Sequence, residues 1–215
     1  ARMLAIKSIP TAYISLEMNT DPLILRLVQK DWDKSIKYNL RYLTNQERIQ
    51  LMDDIDEVGK ISLFLNDKAS SKLGQLIASI TKMAKVEGCK VIFVDYLQLL
   101  PTSKKDSRNN EVAELSRRLK LLALDLNVVI VAGSQLSRNV EHRDSKRPTL
   151  ADLRDSGAIE QDCDMVIFCY REGYYNRGVD HRKLELIIAK QRDGVLGSEI
   201  LHYNLERQLI TNERA

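Results

Sequence analysis

The chain has 215 residues, of which 44% are hydrophobic and 29% charged, with a formal net charge of +3. That is an ordinary globular composition for one large domain or two small ones, and bulk charge says little about nucleic acid. No apolar stretch approaches the length of a bilayer span and residues 1–10 hold no signal-peptide core, so no membrane association is expected.

Three cysteines, Cys89, Cys163 and Cys169, show no CxxC spacing, and two lie next to or within apolar runs. Free thiols are expected rather than a disulfide or zinc site, which places the protein in a reducing, cytoplasmic compartment, nucleoid-associated or in an organellar stroma or matrix.

Taken in order, residues 1–8 read as the tail of an amphipathic helix stopped by Ile9 and Pro10. Residues 11–16 read as a short strand that delivers Glu17 at its carboxyl end. Asn19 or Thr20 is a suitable N-cap, and Asp21-Pro22 opens a helix bearing Leu23, Leu27 and Lys30. Residues 31–44 are poorly periodic and hold the one tryptophan, Trp32, expected to be a packing anchor. Residues 45–58 predict a helix and residues 61–65 an apolar strand. A helix starting at Ser70 or Ser71, with Leu73, Leu76, Ile77, Ile80 and Met83 on one face, stops near Gly88.

Residues 91–95, Val-Ile-Phe-Val-Asp, are the most informative run. Four consecutive apolar residues predict a strand buried on both faces, as in a parallel sheet, with Asp95 at its carboxyl end. Ligands of open α/β sheets bind at such ends, and an acid there suits a water bound to Mg²⁺ beside nucleotide phosphates. A simple turn-capping acid is the alternative reading. After a polar loop with Lys104, Lys105 and Arg108, the spacing of Val112, Leu115, Leu119, Leu122 and Leu126 predicts a helix ending at Asn127.

Residues 128–132 repeat the all-apolar strand pattern and end on Gly133-Ser134-Gln135. A segment with Arg138, His142, Arg143, Lys146, Arg147 and Arg154 offers charge to phosphates, although a solvated surface loop explains it as well. Residues 165–170 predict a fifth apolar strand and 173–182 a loop. Residues 184–189 and 198–203 alternate as strands about a turn at Asp193-Gly194, a terminal hairpin. Strand–helix–strand alternation predicts one α/β domain over residues 1–215, with a mostly parallel sheet flanked by helices.

Six stretches follow one another in an informative order: Tyr13-Ile14-Ser15-Leu16-Glu17-Met18, Val94-Asp95-Tyr96-Leu97-Gln98-Leu99, Gly133-Ser134-Gln135-Leu136-Ser137-Arg138, Lys146-Arg147-Pro148, residues 152–162, and Ala189-Lys190-Gln191-Arg192-Asp193-Gly194. Together they resemble the C-terminal motor domain of DnaB-type replicative helicases, over about residues 10–205. The resemblance implies a RecA-like P-loop NTPase core in a homo-hexameric ring that couples ATP and Mg²⁺ to translocation on single-stranded DNA and duplex unwinding, with primase and a helicase loader as partners.

Residue by residue, the resemblance implies that Glu17 is the catalytic glutamate, which orients or deprotonates the attacking water. Asp95 is the Walker B acid and metal residue. Gln135 is the γ-phosphate sensor. Lys190 and Arg192 reach the neighbouring subunit's nucleotide, Arg192 as the arginine finger. Arg154, Asp155 and Gly157 belong to the channel loop that grips the DNA backbone. The loop at Lys104, Lys105 and Arg108 is a second DNA candidate; base stacking is the less favoured reading of Tyr170, Tyr174 and Tyr175, with packing of Tyr174 or Tyr175 near the adenine left as one alternative.

The sequence departs from the family in one respect. No G-x-x-x-x-G-K-[ST] phosphate loop occurs in it; Gly59-Lys60 has Asp54 five positions earlier and Ile61 after it. The chain is therefore expected to begin after that loop, to bind ATP weakly by itself and to hydrolyse it poorly. Two alternatives remain open on the sequence: a non-catalytic RecA-like ring subunit or DNA-binding fragment, and another RecA-like ATPase.

Overall fold

The computed structural model describes residues 1–68, 72–99 and 108–212. In chain order the elements are α1 (Arg2–Ile6), β1 (Thr11–Ser15), α2 (Thr20–Val28), α3 (Ile36–Asn39), α4 (Asn45–Gly59), β2 (Leu63–Asn66), α5 (Leu73–Lys85), β3 (Val91–Asp95), α6 (Arg108–Leu126), β4 (Val129–Ala132), α7 (Gly157–Asp162), β5 (Met165–Tyr170), α8 (Glu172–Tyr175), β6 (Lys183–Gln191), β7 (Gly197–Asn204) and β8 (Leu209–Thr211). The predicted starting point of α5, Ser70 or Ser71, and the loop residues Lys104 and Lys105 lie outside the described residues.

Four strands form a wholly parallel sheet in the order β2-β1-β3-β4. Residues in register point to the same face, so the sheet has one face built from Ala12, Ile14, Phe64, Ile92, Val94 and Ile130. That face packs on Leu76, Ile80 and Met83 of α5 and on Leu115 and Leu119 of α6, forming the main core. The helical spacing in both segments is what turns one apolar stripe toward the sheet. Asn127, in the left-handed region at φ 51°, ends α6 and lets the chain turn into β4.

The opposite face carries Tyr13, Phe93, Asp95 and Val131. It opens toward β4, where Val129 is 58% and Val131 42% exposed. Asp95 thus stands at the carboxyl end of the sheet on its less covered face.

A second sheet, order β5-β6-β7-β8, is antiparallel throughout. The fifth apolar strand therefore does not join the parallel sheet, and the expected terminal hairpin, β6 and β7, is the middle of a larger sheet that also gains β8. Among the described residues, β4 and β5 are each paired on one side only. Both read as all-apolar strands in sequence, yet Val129, Val131, Met165 and Ile167 are exposed. The two sheets are joined through α7, whose Ile159 packs against the main core, while Leu153, Val166 and Phe168 make a core of their own.

A third cluster, Val28, Trp32, Ile36, Leu43 and Leu51, holds α2, α3 and α4 together. Trp32 is the expected anchor: its ring is buried and its Nε1–H donates to Asp54 Oδ2 at 2.6 Å. Thr44 and Glu47 form a reciprocal capping box at the start of α4. At α2 the expected cap from Asn19 makes no side-chain bond; the Thr20 N–H is taken instead by Asp67 Oδ2 at 2.8 Å, beyond the end of β2. Local sequence cannot foresee a partner 47 positions away. Residues 173–182, expected to be a loop, begin with the single turn of α8.

Candidate active site

Glu17, Asp95 and Gln135 follow the carboxyl ends of three neighbouring strands, β1, β3 and β4. Main-chain bonds tie these ends together. The Leu16 N–H donates to the Asp95 carbonyl at 2.8 Å, the Gly133 N–H to the Val94 carbonyl at 2.9 Å, and the Leu97 N–H to the Gly133 carbonyl at 3.0 Å. The three sequence-predicted residues are brought to one edge because each strand stops in register with the next.

Two further side chains fix this edge. Gln98 uses its whole amide on the β4 tip: Oε1 accepts from the Gln135 N–H at 3.0 Å, and Nε2 donates to Ser134 Oγ at 2.8 Å and to the Gln135 carbonyl at 3.2 Å. Tyr13, two residues before the end of β1, donates its hydroxyl to Asp95 Oδ2 at 2.5 Å. Burial, then the hydrogen bond to Asp95 and that acid's charge, pushes the Tyr13 phenol well above the usual tyrosine range. Sequence reading assigned a role to neither residue. The available signal at Gln98 was a polar residue inside an otherwise apolar run; Tyr13 gave none, since tyrosine is common in strands.

Among the described residues no three acids, histidines or cysteines converge to hold an ion unaided. A lone carboxylate such as Asp95 would suit only a divalent cation that keeps most of its own waters.

Lys190 and Arg192 lie close together at the end of β6, and both are engaged within this chain. A register shift between Val166 and Ile167 pairs Lys190 with Val166, and Lys190 Nζ reaches the Glu160 carbonyl at 2.5 Å at the end of α7. Arg192 pairs with Asp164 Oδ1 at 2.9 Å, and Lys120 of α6 takes the other oxygen of the same acid at 2.5 Å. The hydrogen bond from Lys120, then the charges of Lys120, Arg192 and Lys190, holds Asp164 below the usual carboxylate range. Arg154 and Asp155 lie in the 3-10 segment Leu150–Ser156, and Gly157 is the first residue of α7.

In the basic segment, read from the sequence as a phosphate-meeting loop or a solvated one, three cations have partners within the chain instead. Arg143 pairs with the buried Asp152 at 2.8 Å, Arg147 grips Glu185 through both nitrogens at 2.9 and 2.8 Å, and Lys146 donates to the carbonyls of Glu141 and Arg143. These three cations are bound within the chain. Tyr170, Tyr174 and Tyr175 pack on one another, with centroids 6.3 and 5.0 Å apart, beside a cleft of 220 Å³ that Lys146 and Arg171 also line. The three cysteines are free, and burial raises the Cys89 thiol to about 11.

The family model for the DnaB-like helicase C-terminal domain matches residues 1–212. The chain belongs to that family. It is 37% identical over 206 residues to the replicative DNA helicase DnaB of Geobacillus stearothermophilus and 36% identical to the replicative DNA helicase DnaC of Bacillus subtilis, covering 94% of this chain and 45% of each relative. The chain thus spans about half the length of these curated relatives.

Among solved structures, a DnaB-like replicative helicase, described with its interactions with primase, superposes with a TM-score of 0.89 at 36% identity, over 100% of this chain and 53% of that one. A KaiC-like protein from Pyrococcus horikoshii, at 14% identity and a TM-score of 0.62 over 98% of this chain and 78% of that one, shares the fold alone. The family membership confirms the RecA-like α/β class expected from the sequence.

Proposed function

We propose that this chain is the motor region of a replicative DNA helicase, coupling ATP hydrolysis to movement along single-stranded DNA and to strand separation. The observation that carries the reading is the alignment of Glu17, Asp95 and Gln135 at one carboxyl edge of a parallel sheet, in a chain of the DnaB-like family. Asp95 would hold a Mg²⁺ or its water, and that ion would supply charge neutralisation to the nucleotide phosphates.

The chain's own residues do the rest. Asp95 would hold the ion's water, Glu17 orients or deprotonates the attacking water, and Gln135 offers a neutral amide to the γ-phosphate. Gln98 keeps that amide's main chain fixed to the β3 tip. Lys190 and Arg192 act on the nucleotide of the next copy in a homo-hexameric ring. Arg192 is 54% and Asp164 55% exposed at the side chain, so their pair is weakly held and can be exchanged for a phosphate. Arg154, Asp155 and Gly157 contact the DNA backbone without reading sequence. Primase and a helicase loader are the partners expected on the same family ground.

The test is single-stranded-DNA-stimulated ATP hydrolysis and forked-duplex unwinding by the protein that carries this domain, wild type against Glu17→Gln. Loss of the general base is expected to lower turnover by about 10²-fold or more. Turnover at the wild-type rate would overturn the role of Glu17.

A further inference from the structure

The family resemblance gives Tyr13 no task, and its place in the sheet does. Register sets Tyr13 beside Phe93 and Ser15 beside Asp95, so Tyr13 sits one diagonal step from Asp95 on the same face. A phenol leaning along the strand covers that step. Its ring stacks on Phe93, with centroids 6.3 Å apart and planes 23° from parallel, and its hydroxyl meets Asp95 Oδ2 at 2.5 Å. A hydroxyl donating to a carboxylate at this distance makes one of the stronger hydrogen bonds a protein offers.

The other oxygen, Oδ1, faces the tip of β4. A Cβ placed on Gly133 would stand 3.5 Å from Asp95 Oδ1 and 3.3 Å from Tyr96 Cβ. Glycine at 133 leaves the approach to Oδ1 clear. The carboxylate is therefore gripped on one oxygen and open on the other.

We propose that Tyr13 is a positioning residue for Asp95: it ties down Oδ2 and presents Oδ1 alone to a divalent cation or to the cation's water. The proposal rests on the reading of Asp95 as the acid that holds the ion. A carboxylate that already accepts a strong hydrogen bond has less charge to offer and cannot turn both oxygens to the ion. Tyr13 thus keeps the ion oriented and loosely held, which lets it leave with spent nucleotide in each cycle.

The experiment titrates Mn²⁺ alone into the ¹⁵N-labelled 215-residue chain and follows paramagnetic broadening of the amides of Asp95, Gln98 and Gly133. Tyr13→Phe removes one oxygen and keeps the stack on Phe93. It is expected to bind Mn²⁺ about three- to tenfold more tightly, the worth of one hydrogen bond. Gly133→Ala crowds Oδ1 and is expected to weaken binding, while Asp95→Asn abolishes the local broadening.

Tighter binding is a sign that mere damage to the sheet would not give. Equal or weaker binding by Tyr13→Phe, with binding lost in Asp95→Asn, overturns the role of Tyr13. Local broadening that is absent from the wild-type chain, or that survives in Asp95→Asn, overturns the reading of Asp95 itself, and the proposal with it.

Discussion

In the parallel sheet, Glu17, Asp95 and Gln135 stand at strand ends, and main-chain bonds with the neutral groups of Tyr13 and Gln98 hold those ends. In the antiparallel sheet the charged candidates are held by opposite charge or by helix carbonyls: Arg192 by Asp164, Lys190 by the end of α7, Arg147 by Glu185. The first arrangement fixes geometry and leaves charge available to a ligand. The second ties cations to partners within the chain; the most exposed of these pairs, Arg192 with Asp164, is the one from which a stronger anion can draw its cation. A site that must be ready and a group that must travel call for these different supports.

The comparison breaks most visibly at Arg192. In the protein that carries this domain, Arg192→Ala is expected to lower DNA-stimulated ATP turnover by about 10³-fold or more, the usual worth of an arginine finger. Its urea unfolding midpoint should hardly move, because exposed ion pairs contribute about 0–1 kcal/mol. A large loss of stability with normal turnover would make the pair with Asp164 structural instead.

The two faces of the parallel sheet sharpen the contrast next. Ile92 is fully buried, and Ile92→Ala is expected to cost about 2–5 kcal/mol in denaturant unfolding. Val131, in the neighbouring strand on the opposite face, is 42% exposed, and Val131→Ala should cost far less, within about 1 kcal/mol. Equal costs would show that the second face is as well covered as the first.

The smallest effect lies at the cap of α4. The Lys34 hydrogen bond, then the Thr44 N–H, hold Glu47 down to about 2. A depressed carboxylate stabilises the fold above its unfolded value, ordinarily about 4.3, and that contribution fades as pH falls through the folded value. The ¹³C carboxyl signal of Glu47 should therefore titrate near 2, with the capping box intact at pH 3; a midpoint near 4 would show that the cap is not held.

The strand tips were legible because an apolar run that stops on Asp95, or on Gly133-Ser134-Gln135, marks both burial and its end. The helices α5 and α6 were legible from period alone. What stayed hidden depends on distance. Residues 165–170 have the composition of a doubly buried strand, and nothing local says that β6, rather than a parallel neighbour, pairs with them. Tyr13 reaches Asp95 across 82 positions, and Gln98 reaches Gln135 across 37. Arg143, Arg147 and Lys146 read as a charge run until their partners are known.

The short helix α7 has a consequence of its own. It begins at Gly157, in the loop proposed to hold DNA, and its last turn supplies the Glu160 carbonyl that holds Lys190, four residues before Asp164 and its hold on Arg192. Six helical residues span only about 9 Å. On the proposed reading, a strand of DNA tugging at one end of this rod would move the mooring of the cations meant for the neighbouring subunit, so that mechanical load and chemical timing share a single rigid strut.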